Sequence, residues 1–151
     1  MPTRSPTHRD IEFSRLASMT VEVEELADGA PLTPGPMLEL AEDRGRPVSH
    51  YYAAAALGAD VEIAVEHPIQ AVFCAGKCQA WGALDNIDRA AAVWERRRDA
   101  KLPLFDIVTR QCLDRCDHAA VCEVRTPDGT AVLTEATPAK VEEALKEALG
   151  A

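Results

Sequence analysis

No apolar run in this 151-residue chain approaches the length of a membrane span, so no membrane-embedded role is expected. The opening stretch, MPTRSPTHRD, lacks the apolar segment of a secretory signal and reads as a disordered tail. Positive charge is scarce: 16 Lys and Arg stand against 25 Asp and Glu, a formal net charge of −9. A nucleic-acid surface needs a positive field, which excludes DNA and RNA as expected partners. The acidity suits a carrier steered toward a partner protein with a basic face. The chain also lacks C-x-x-C, and with it the spacing of thioredoxin-type redox sites and zinc ribbons. It shows no nucleophile–base pair and no phosphate-cradling loop.

Cysteine is what the chain does have. There are five, an odd number without a secretion signal, which argues against a disulfide scaffold and for a reducing, cytoplasmic compartment. Four of them form two C-x-x-x-C pairs: VFCAGKCQAWG at 72–82 and RQCLDRCDHAAVC at 110–122.

Two regions differ along the chain. Residues 1–67 read as an N-terminal extension of short helices and linker. TVEVEEL at 20–26 is ambiguous between strand and helix, and GAPLTPGPM is a Pro/Gly-rich linker. Pro36 could open a short helix ending near Gly45, and Ser49 is a candidate N-cap for HYYAAAALG, stopped by Gly58. Residues 68–151 read as a separate α/β module. IQAVFC (69–74) and LFDIVTRQC (104–112) are strand-like, with a helix between them over 79–99 carrying Leu84, Ile87, Ala91 and Trp94 at helical spacing. A hairpin turns at Pro127-Asp128-Gly129. The last helix starts at Thr137-Pro138, runs a stripe through Val141, Ala144, Leu145, Ala148 and Leu149, and stops at Gly150.

A strand–helix–strand unit is most simply a parallel pair with a crossover. That places Cys74 and Cys112 at one edge of the sheet, with Cys78 and Cys116 a short loop beyond. Four converging thiolates need a cation, and two kinds suit them: an iron–sulfur cluster or zinc. Zinc would make the chain a stapled interaction module. Ala75, Gly76 and Gly82 are small enough for backbone N–H groups to approach sulfur. Cys122 shares a strand face with Val124 and is expected to be a buried apolar residue. His118 is expected in a loop, and the ERRR run at 95–98 as a solvated helix end or a basic patch facing a partner.

Together, VFCAGKCQAWGA, CLDRCDHAAVCEV, the hairpin and the TPAKVEEALKEAL helix resemble the thioredoxin-like [2Fe-2S] ferredoxins. That module also serves as the small iron–sulfur subunit of respiratory complex I, of formate dehydrogenases and of NAD-reducing hydrogenases. The family's closing cysteine pair, with Ala and Val after it, matches Cys112 and Cys116 followed by Ala120 and Val121; its first pair matches Cys74 and Cys78. The resemblance spans about residues 69–149. It implies a thioredoxin-like β-α-β-β-β-α fold and a [2Fe-2S] cluster on Cys74, Cys78, Cys112 and Cys116. The role implied is one-electron transfer to a redox partner rather than catalysis, as a free carrier or a relay subunit of an NAD-linked complex. Lys77 and Arg115, inside the cysteine loops, are the side chains expected to tune the potential. A homodimer is left open.

Overall fold

A computed structural model describes residues 13–76, 78–79, 82–113 and 118–150. The sequence readings for the N-terminal tail, Lys77, Arg115 and Cys116 fall outside those residues.

Helix α1 (Phe13–Ala27) includes the ambiguous 20–26 stretch. Met19, Val23 and Ala27 recur every four residues and all are buried, so tertiary packing of one stripe overrides the strand preference of the valines. Helix α2 (Pro34–Arg44) begins two residues before Pro36, because Pro34 itself takes the first-turn position where a missing N–H costs nothing. It ends at Gly45 with φ 64°, in the left-handed conformation that glycine tolerates.

Helix α3 (Val48–Leu57) is apolar nearly all round and correspondingly enclosed, with Tyr51, Tyr52, Ala53 and Ala54 at most 1% exposed. Ser49 is not its N-cap. Pro47 holds that position, and Ser49 sits in the first turn, where its N–H and its hydroxyl each donate to the Asp88 carboxylate at 2.9 Å. The cap comes from another helix.

Strand β1 (Gln70–Cys74) leads through helix α4 (Ala83–Asp99) to strand β2 (Asp106–Arg110). β1 and β2 pair in parallel, from Gln70 opposite Asp106 to Cys74 opposite Arg110, as the strand–helix–strand reading predicts. Strands β3 (Cys122–Thr126) and β4 (Gly129–Leu133) form the expected hairpin, and β3 joins β1 antiparallel. The result is a mixed four-stranded sheet in the order β2-β1-β3-β4. Helix α5 (Pro138–Leu149) closes the chain, with Thr137 Oγ1 accepting the Lys140 N–H and Gly150 at φ 75°. Val141 and Leu145 are its buried stripe.

One apolar core runs through both halves. Met19, Met37, Tyr51 and Tyr52 from the N-terminal helices belong to the same contiguous cluster as Phe73, Leu84, Ile87, Ile107, Cys122 and Leu145. α3 packs on α1, α2, α4 and β2, and so joins the helices to the sheet. The segment between α3 and β1 is fastened by the buried Asp106, whose carboxylate accepts the Glu66 and His67 N–H groups at 2.9 Å and lies 2.8 Å from His67 Nδ1. Among the described residues, no helix is long and apolar enough to cross a membrane.

The ERRR run is only in part a solvated helix end. Arg97 is 8% exposed and its Nε donates to the Pro103 carbonyl at 2.7 Å, while Arg98 lies over the buried Trp94 ring, 5.4 Å from its centroid.

Candidate metal centre

Parallel pairing brings the ends of β1 and β2 side by side, and the two cysteine loops leave from there. Just past β1, the Ala75 N–H donates to the Arg110 carbonyl at 2.7 Å. Gly76 then passes so close to Gln111 that a Cβ on it would collide with the Gln111 carbonyl oxygen. Only glycine allows this approach. The first loop is braced by Gln79, whose N–H donates to the Gly76 carbonyl at 3.1 Å and whose Nε2 donates to the Ala75 carbonyl at 2.6 Å.

Within this frame the Cys74 sulfur lies 3.4 Å from the Gln111 carbonyl. Its pKa is lowered to about 6: the hydrogen bond from the Cys78 thiol contributes most, burial opposes it, and backbone N–H groups of Gly76, Cys78 and Leu113 add to the lowering. These donors come from both loops, two from the one that carries Cys78 and one from the one that carries Cys112. A sulfur so surrounded favours the thiolate, the form that binds metal.

Around the pair lies a second apolar cluster, separate from the main core. Cys74 and Cys78 pack with Ala83, Ala119 and Ala120, and Leu113 lies against them. The walls are small side chains drawn from the starts or ends of the segments that carry the cysteines. The stretch after Cys116 is pinned from outside: the Glu135 N–H donates to the His118 carbonyl and the Ala136 N–H to the Ala120 carbonyl, both at 2.8 Å. Asn86 Nδ2 holds the Ala136 carbonyl at 3.1 Å.

Of the four expected ligands, Cys74 and Cys78 are brought together. Cys112 lies two residues beyond the end of β2 rather than at it, and is exposed. Cys116 is outside the described residues. Among the described residues, no three His, Cys, Asp or Glu side chains form a group that could hold a metal ion. Cys122 is buried in the main core opposite Phe73, and burial pushes its thiol up to about 12, as suits an inert apolar residue. His118 is exposed. Among the described residues, Cys74, Cys78, Cys112 and Cys122 are all outside disulfides.

The donor chemistry of the first loop fits a thiolate-bound iron–sulfur centre: two buried sulfurs in contact, backbone N–H groups aimed at one of them, and methyl-sized walls. Two parts of this site carry no sequence signal. The brace by Gln79 depends on the path of the loop, and the N–H of Leu113 reaches Cys74 only because Gly76 lets the loops meet. The chain matches no protein-family model and no curated protein.

Proposed function

We propose that the protein is a one-electron carrier whose thioredoxin-like module holds a [2Fe-2S] cluster on Cys74, Cys78, Cys112 and Cys116. The observation that carries this reading is the convergence of N–H groups from both cysteine loops on the Cys74 sulfur. The strand–helix–strand–hairpin–helix order and the parallel β1–β2 pair agree with the resemblance and add support.

When bound, the cluster supplies a centre that takes up and gives back one electron. The chain's part is to hold it and set its charge balance. The Gly76, Cys78 and Leu113 N–H groups offset negative charge at sulfur, which favours the reduced state, while the net charge of −9 opposes it. Ala83, Ala119, Ala120 and Leu113 keep water from the Cys74 and Cys78 sulfurs.

Thiol–disulfide exchange would use the same pair, with Cys74 as the attacking thiolate. Such attack needs an accessible sulfur, and Cys74 and Cys78 are each 1% exposed. Zinc would make the same residues a structural staple. Anaerobic purification followed by iron, zinc and acid-labile sulfide analysis separates the three. The expected protein is coloured, with about two irons and two sulfides per chain. Stoichiometric zinc, or a colourless metal-free protein after reconstitution with iron and sulfide, would overturn the cluster.

A further inference from the structure

At the far end of α4 from the thiols lies a cleft of about 270 Å³ between the last turns of α4 and α5. Its floor is apolar, from Val93, Ala100, Leu102 and Leu149; its other lining residues are Arg96, Arg97 and Lys146. No carboxylate lines it, in a chain with a net charge of −9. Leu102, a large apolar side chain, is 44% exposed there.

The cations beside this cleft are in surplus. Arg96 and Lys146, which line it, share one partner, the Glu142 carboxylate, at 3.1 and 3.4 Å, and Arg89, outside the cleft, reaches the same carboxylate at 3.3 Å. One carboxylate cannot neutralise three cations, so this cluster keeps a surplus of positive charge. Arg97 adds to it, since its Nε donates to the neutral Pro103 carbonyl. The cleft is smaller than a usual cofactor pocket and has room for one large apolar side chain. A greasy socket with a positive rim suits an apolar anchor flanked by acids.

We infer that this cleft docks an acidic segment of a partner protein, by one leucine- or phenylalanine-type anchor with carboxylates on either side. α4 has 17 residues and so spans about 25 Å. Its first residue, Ala83, packs with Cys74 and Cys78, whereas the cleft is at its last turn. A partner held here leaves the thiol end uncovered. The cleft therefore tethers, and the inference stands whether or not a cluster occupies the thiols.

The test uses the full chain and a fluorescein-labelled peptide of one central Leu among Glu and Ser, read by fluorescence anisotropy. Two control peptides replace Glu by Lys, or Leu by Ala. The acidic peptide is expected to bind at least about tenfold more tightly than either control, and more weakly as salt rises. Leu102→Asn and the double variant Arg96→Gln, Lys146→Gln are each expected to weaken it about tenfold. Glu142→Gln removes the internal competitor and is expected to tighten binding about threefold. Circular dichroism that matches the parent protein establishes that these variants fold. Equal binding of the acidic and basic peptides, or unchanged affinity in the Leu102 and Glu142 variants, overturns the inference.

Discussion

The two ends of α4 make opposite kinds of site. At its start, Ala83 packs beside two buried thiols, one of them biased toward the anion. At its end, Arg96, Arg97 and Lys146 gather around an apolar cleft. The direction matches the helix dipole, whose positive end favours thiolate and whose negative end favours arginine. The means of construction differ more than the charges do. Close backbone approach and N–H groups build the thiol end; side-chain charge builds the other. Damage at the first should follow added volume, and damage at the second should follow altered charge.

The largest expected effect is at the thiol end. Cys74→Ser should lower iron occupancy to about one-tenth or less, read by metal analysis and visible absorbance, while Leu102→Asn leaves both unchanged. Full colour in the serine variant would break the comparison at its root. Gly76→Ala is next, since its new Cβ meets the Gln111 carbonyl: a loss of about 1–3 kcal/mol in urea unfolding, with weaker iron retention. Its control is Gly35→Ala in α2, where the nearest atom to the new Cβ would be Trp94 Cη2 at 3.8 Å. That change should be neutral or stabilise by up to about 1 kcal/mol. Equal costs at the two glycines would refute the close approach of the loops.

Asp88→Ala lies between the ends and removes the cap that α4 lends to α3. The expected cost is about 1–2 kcal/mol by the same unfolding assay, with iron content unchanged in the protein that remains folded. The last comparison concerns Cys122, the cysteine assigned to the core, and shows only at alkaline pH. Its folded pKa of about 12 lies above the ordinary 9.0, so its contribution to stability is present below pH 9 and is lost as pH rises toward 12. Stability of the parent protein should then fall faster above pH 9 than that of Cys122→Ala. Tyr52, also raised by burial, titrates in both proteins and cancels from the difference. Identical alkaline slopes would show that Cys122 is not the buried thiol described.

Local signals carried some elements entirely. For α5 the cap residue, first-turn proline, apolar stripe and terminal glycine all lie within one short stretch, and each acts on its own backbone. The β3–β4 turn and the parallel β1–β2 pair were legible for similar reasons. The cap of α3 was not, because its acceptor is 39 positions away. Nor was Arg97, whose acceptor at Pro103 appears only when the chain reverses after α4. Within the candidate site, the spacing of Cys74 and Cys78 announced a pair. Nothing in that spacing announced that Gly76 would rest against Gln111, or that the Leu113 N–H would face a sulfur from the other loop.

By itself the sequence determined the paired cysteines, the acidic charge, and the alternation of strand and helix, since spacing and periodicity act over a few neighbouring residues. The tertiary structure alone decided that the N-terminal helices share a core with the sheet, that the Leu113 N–H reaches the Cys74 sulfur from the other loop, and that cations collect at the far end of α4. Those outcomes depend on contacts between residues tens of positions apart, which exist only once the chain has folded.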